Sequence, residues 1–294
     1  MPLGIDWTSI PVRGASAFQQ QAEQVSLCWR ASARMDQICN QVLRATVDTE
    51  QLRGPDFRLT VDNSTGEGRF IVSRWPIIQI LTVQVAQSAI YPPNWNTVPP
   101  GNYHLEFEPF GELNSYLAGS AAAGPAALML APGTIDWFQG RNAYFVQVGY
   151  INGWPNSGIQ GEVTADATQV NVDDITGWVS PTGGSTGWIY DGGNTEAIQV
   201  FAAQPDTVGA VSGPGTLTLA QPVEFAHAPG IRVSAMPPTL QWAAGLLAAG
   251  MALTRGSTAV VAQSLRSRAV NQGSDAQAFL AEAKDILQPY ARIW

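Results

Sequence analysis

The chain has 294 residues, 45% hydrophobic and 13% charged, which is enough apolar material for a sizeable core and too long for one small domain. Glycine (29) and proline (20) make up about a sixth of it, a composition that favours turn-rich β structure over disorder. The net charge of −8 is unevenly placed: residues 156–236 carry eight acids against one base, a net −7, and the rest fifteen acids against fourteen bases, a net −1, which excludes the basic footprint of a nucleic-acid-binding surface.

The opening "MPLGIDWTSIPVRG" has neither the basic nor the apolar stretch of a secretory leader, so none is expected. Residues 16–44 predict a long amphipathic helix, with Phe18, Ala22, Val25, Cys28, Trp29, Met35, Cys39 and Val42 at helical spacing and a capping box at Ser16 and Gln19. Within such a helix Cys28 and Cys39 lie about 16 Å apart, too far for a disulfide, so both are expected as buried thiols. "FRLTVDNSTGEGRFIVSRWPIIQILTVQV" (57–85) predicts a hairpin around the turn "DNSTGEG", then a longer strand from Pro76. "NYHLEFEP" (102–109) and "AYFVQVGYINGW" (143–154) read as strands, and the Gly- and Pro-punctuated stretch 113–133 between them as a long mobile loop, with a short, broken helix as the alternative.

From 156 to 236 the pattern becomes short strands divided by Gly and Asp turns, about six in all, which predicts a small sandwich or barrel. Helix returns at 239. Leu240, Ala243, Leu247 and Met251 form one apolar stripe; Gly245, Ala249 and Ala252 form a second face of small side chains that admits a neighbouring helix. The longest apolar helical run, 242–253, is short of the roughly 20 residues that span a bilayer, so a soluble protein with no membrane partner is expected. A final helix over 274–288, capped by Ser274 and Gln277, carries Phe279, Leu280, Ala283, Ile286 and Leu287 inward and stops before Pro289. The charge step and the change of period coincide at 156 and 236. This predicts a discontinuous core, 1–155 with 237–294, interrupted by an inserted acidic β-domain.

Chemistry is nearly present in three places. "GGSTG" (183–187) matches the nucleophile elbow around Ser185, but that motif needs a strand before it and a helix after it, and here a strand follows. "DGGNTE" (191–196) lacks the spacing of a calcium loop; Asp173, Asp174, Asp191 and Glu196 read as solvated turns rather than a cation cluster. His104 and His227 have no ligand partner at metal spacing, and His227 is expected to bond a turn backbone. No catalytic set, metal or cofactor is expected, and the chain is not read as an enzyme.

Several of these pieces together resemble tailed-phage head–tail connector (adaptor) proteins of the gp6-like and gp15-like kind. They are the long helix ending near "ICNQVL", the run "RLTV…GRFIVSRWPIIQILTVQV", the exit "VQVGYINGW", the helix "LQWAAGLLAAGMAL" and the close "ILQPYARIW". The resemblance implies an α+β fold: a helical adaptor core with a β-hairpin and strand layer, here interrupted by the small all-β insertion. It implies a homo-oligomeric ring, expected as a dodecamer, in the neck of a virion assembled in the host cytoplasm. Such a ring sits beneath the portal protein, extends the channel through which genomic DNA passes without specific binding, and receives the stopper or tail-completion protein. Carried onto this sequence, Pro289, Tyr290, Arg292, Ile293 and Trp294 would form an exposed tail docking on the portal or a neighbouring subunit, and its deletion is expected to leave a folded protein. Gly245, Ala249 and Ala252 would pack helices within a subunit or around the ring. The rival reading is another phage structural β-protein, a fibre, baseplate or decoration subunit, whose 156–236 domain binds a ligand or host glycan.

Overall fold

The structure is a computed structural model that describes residues 17–53, 59–61, 65–87, 94–107, 126–134, 144–180, 183–260 and 269–292. Helix α1 (Ala17–Cys39) buries Leu27, Cys28, Ala31, Met35 and Cys39 along one side. It ends at Cys39 rather than near 44, because Asn40 takes a left-handed φ of 51° and the Asp36 carboxylate accepts the N–H of Leu43. Val25 and Trp29, expected in the buried stripe, are 46% and 50% exposed.

Eight strands follow: β1 (Thr46–Arg53), β2 (Leu59–Val61), β3 (Gly68–Ile71), β4 (Ile77–Gln87), β5 (Asn96–Thr97), β6 (Tyr103–Phe107), β7 (Ala126–Leu130) and β8 (Tyr144–Asn152). They form two antiparallel four-stranded sheets, ordered β1-β8-β4-β5 and β2-β3-β7-β6. Leu52, Phe70, Val83, Leu128, Leu130, Val146, Val148 and Tyr150 from both sheets share one core, which makes this part a β-sandwich.

Seven more strands form a third sheet: β9 (Asn156–Gly158), β10 (Gln169–Val172), β11 (Val179–Ser180), β12 (Gly183–Tyr190), β13 (Glu196–Pro205), β14 (Gly215–Leu219) and β15 (Arg232–Ser234). Their order is β10-β14-β13-β12-β15-β9, with β11 on β12. The two ends of this path meet. Ile159 bridges Val172, the Gln160 N–H reaches the Asn171 carbonyl at 2.9 Å, and the Asp173 N–H reaches that of Gly158 at 2.9 Å. The sheet thereby comes close to a barrel, filled by Val170, Val172, Trp178, Ile189, Val200, Leu217 and Val233.

Helices α2 (Pro238–Val260) and α3 (Ala269–Leu287) return the chain to α1, and the three form a cluster of their own with Trp75 and Trp154. The expected fold class is thereby corrected. Strand exceeds helix, 40% to 27%, and the body is a β-sandwich rather than a helical core with a strand layer. Two segments hid this. The inward positions of β1 are Thr46, Asp48, Glu50 and Leu52, so the strand reads as polar. β7 lies inside the small-residue stretch expected as a loop, whose part 113–125 lies outside the described residues. Helix α3 already runs from Ala269, so Ser274 and Gln277 lie within it rather than at its first turn; Ser16 lies outside the described residues.

Candidate partner-docking site

The described part of the C-terminal segment folds back onto the chain. After α3 a 3-10 turn, Gln288–Tyr290, folds it back, with Pro289 exposed and Tyr290 only 5% exposed. The Tyr290 ring stacks on Trp75, centroids 6.0 Å apart and planes at 19°, and meets Trp154 edge-on at 5.6 Å. Trp75 and Trp154 are themselves edge-on at 6.3 Å, so the three rings form a closed cluster. Gly153 makes the entry of Trp154 possible: at φ +91°, a Cβ there would lie 2.6 Å from the Arg44 carbonyl oxygen.

Hydrogen bonds fix the same segment to the start of α2 and to the end of α1. The Tyr290 hydroxyl is 3.1 Å from the Thr239 hydroxyl in the first turn of α2. Buried Gln41 donates its amide to the Tyr290 carbonyl at 2.9 Å and accepts the Trp75 N–H at 3.2 Å. The Arg292 N–H donates to the Cys39 carbonyl at 2.7 Å, and the Cys39 thiol points at the Leu287 carbonyl. Burial pushes the Tyr290 hydroxyl above its usual range; the Thr239 contact opposes this and Cys39 adds to it. Burial, helped by the charge of Asp36, pushes the Cys39 thiol up to about 12, so it is no nucleophile at neutral pH.

Arg292 then reaches a polar cleft of about 130 Å³ lined by Asp48, Glu50, Ser73 and Arg74 among others. Its carboxylates have partners inside the fold. Asp48 pairs with Arg74 at 2.7 Å and accepts from Asn152 at 2.6 Å. Glu50 accepts from the Tyr150 hydroxyl at 2.5 Å and from both the N–H and the hydroxyl of Ser73. The expectation of a free docking tail is thus corrected for Tyr290, whose pocket is on its own chain; Ile293 and Trp294 lie outside the described residues.

The small-residue face of α2 also divides differently. The close approach of α2 to α3 uses Gly250, where a Cβ would stand 3.0 Å from the Leu280 side chain and 3.2 Å from the Ala276 carbonyl oxygen. Gly245 has nothing within 4 Å of that position, and Ala249 and Ala252 are half-buried.

In the barrel, Ser185 sits within β12 opposite Val200, not at a strand-to-helix turn. His227 bonds two carboxylates rather than a backbone group: its Nδ1 is 2.9 Å from Asp191 Oδ2 and its Nε2 is 2.7 Å from Glu196 Oε1, with the ring fully buried. Ile189 pairs with Glu196, four residues along β12 from Ser185, roughly 13 Å at strand rise. Serine and histidine therefore do not form a nucleophile–base pair. Burial acts to raise the Glu196 carboxyl, but the N–H of Glu224, the His227 ring and the N–H of Phe225 together hold it below its ordinary value. Asp173 and Asp174 belong to a separate network. Asp173 accepts from the Ser157 hydroxyl and the Gly158 N–H, Asp174 from the N–H groups of Thr176 and Gly213. Among the described residues no group of three or more His, Cys, Asp or Glu is placed to hold a metal ion, and no helix is long and apolar enough to cross a membrane.

Sequence reasoning missed Trp75, Trp154, Gln41 and Thr239 as the pocket of the C-terminal turn. Each comes from a different element, and only the aromatic character of the two tryptophans signalled anything. Compared with known proteins, the chain matches no family model, no curated protein and no solved structure.

Proposed function

We propose that the chain is a structural subunit of a head–tail adaptor ring in a tailed phage, seated beneath the portal and receiving the stopper or tail-completion protein. One observation supports this above the rest. Stretches that carry the resemblance, scattered over the sequence, meet in one cluster: Met35, Cys39 and Leu43 at the end of α1, Trp75, Trp154, Leu240 and Leu247 on α2, and Leu287 with Tyr290 at the close. Those pieces make a single three-helix unit bound by the C-terminal turn, which gives a physical reason for their order and spacing.

On this reading the terminal "QPYAR" is a clasp that holds the helical unit in shape for docking, and Tyr290 acts through the fold rather than by touching a partner. The near-neutral remainder of the chain suits a DNA conduit, because its fifteen acids offset its fourteen bases and leave no net positive charge to hold phosphate. The acidic barrel is repelled by DNA and suits an outward position. The high strand content and the near-barrel favour the rival reading, a fibre, baseplate or decoration subunit. Phage production without this chain separates the two. An adaptor's loss leaves DNA-filled heads and finished tails unjoined, whereas joined particles lacking fibres or surface knobs would support the rival.

A further inference from the structure

The Arg292 side chain enters the polar cleft without a protein partner among the described residues. Its backbone N–H is spent on the Cys39 carbonyl, while its Nε is buried and bonded to nothing. A buried donor left unmatched carries its full desolvation cost, so this place asks for an acceptor. The cleft around it is balanced in charge, with Arg74 and Arg292 against Asp48 and Glu50. Glu50 is turned to the Tyr150 hydroxyl and to Ser73. Asp48 takes Arg74 on Oδ1 and both Thr46 and Asn152 on Oδ2. A carboxylate offers about four lone-pair sites, so Oδ1 of Asp48 keeps one for a further donor. The residues of β1 from Asp48 to Gln51 alternate inward and outward, so a cleft that touches all four follows the strand's edge, and β1 is the end strand of its sheet. Solvent therefore reaches the cleft from the side.

We propose that this cleft binds a small zwitterion, a free α-amino acid with a short side chain. Its carboxylate lies on the Arg292 guanidinium and its ammonium on Asp48 Oδ1. A lone anion would satisfy Arg292 but add charge beside two carboxylates. A lone cation would pair with Asp48 but stand between two guanidiniums and leave the Arg292 Nε bare. A zwitterion meets both demands and keeps the balance. The planar guanidinium grips a carboxylate through two parallel N–H bonds, which selects by geometry as well as by charge. The volume of about 130 Å³ suits a ligand of the size of glycine or alanine. Bound there, the ligand joins β1 of the sandwich to the turn that closes the helical unit, and so braces the clasp around Tyr290. The site goes beyond the ring reading and stands or falls apart from it.

Titration of the full chain with glycine and with L-alanine tests it, read on the Arg292 Nε–H signal in heteronuclear NMR. That signal is identified by its absence from Arg292→Gln. A saturable shift in the millimolar range is expected, with a rise in melting temperature, since the ligand binds the folded chain alone. Acetate and methylammonium each carry one half of the match and are expected to bind at least about tenfold more weakly at equal ionic strength. Arg292→Gln gives up no hydrogen bond within the chain. It is expected to melt as the wild type does and to gain nothing specific from glycine. Asp48→Asn is expected to lose the preference for glycine over acetate. A wild-type signal that neither amino acid moves saturably, acetate binding as tight as glycine, or an Arg292→Gln protein stabilised by glycine as much as the wild type overturns the proposal. So does an Asp48→Asn protein that keeps the preference.

Discussion

Tyr290 lies flat against Trp75, ring centroids 6.0 Å apart, although 215 positions separate them in the chain. The last described turn thereby fills a pocket made by a segment between two strands and closed by Trp154. The expected energetic weight is large, because Phe- or Trp-to-Ala changes in cores cost about 3–5 kcal/mol. Tyr290→Ala is expected to destabilise by about 4 kcal/mol in urea unfolding followed by tryptophan fluorescence. Tyr290→Phe, which keeps the stack and loses only the Thr239 contact, should cost about 1 kcal/mol. Deleting 289–294 should match the alanine variant rather than leave a robust fold, which reverses the expectation drawn from the sequence.

His227 ties two loops at one end of the barrel through Asp191 and Glu196. His227→Phe leaves Glu196 short of a partner in a largely buried place and is expected to lower stability by about 3 kcal/mol.

The same clamp sets a pH dependence on the acid side. The Glu196 carboxyl is held below its ordinary 4.5 in the folded chain. Its stabilisation is therefore fully present above about 4.5 and is lost as pH falls through the lower folded value. Melting temperature measured from pH 7 to pH 3 should fall more steeply for the wild type than for Glu196→Gln, which starts lower and changes less.

Gly250 and Gly245 should respond oppositely to enlargement. Gly250→Leu forces atoms against Leu280 and the Ala276 carbonyl and is expected to cost about 1–3 kcal/mol. Gly245→Ala meets open space and should stabilise by up to about 1 kcal/mol through helix propensity alone. Paired thermal melts of the two variants check this.

Both cysteines are buried and unbridged, and the Cys39 thiol is pushed up to about 12. Iodoacetamide at pH 8 is expected to modify Cys39 only after denaturation, read by mass spectrometry of the intact chain. Rapid labelling of the native protein would mean that the turn after α3 opens readily.

Legibility followed the physics of each segment. Strands β3, β4 and β8 alternate or run apolar and were readable; β1 was not, because a strand at the end of its sheet can carry Asp48 and Glu50 inward when Arg74, Ser73, Asn152 and Tyr150 satisfy them. The charge step coincides with the third sheet, which begins at Asn156 and ends at Ser234. The outer position of Trp29 was not readable, because helical spacing gives a face but not which neighbour covers it. The enrichment of Tyr, Trp and Arg at interfaces pointed Tyr290 outward; the same ring serves as well inside a fold that offers two tryptophans, and pairing across such distances leaves no local trace. His227 could be found as a histidine near acids, yet its two bonds depend on strand register between β12 and β13.

The most direct measurement is an electron cryomicroscopy map of the intact particle that carries this chain. A ring of copies directly beneath the portal, with the barrels turned away from the DNA, is the predicted result. Density for the chain at fibre tips, in the baseplate or on capsid faces, with another protein filling the site under the portal, would contradict it.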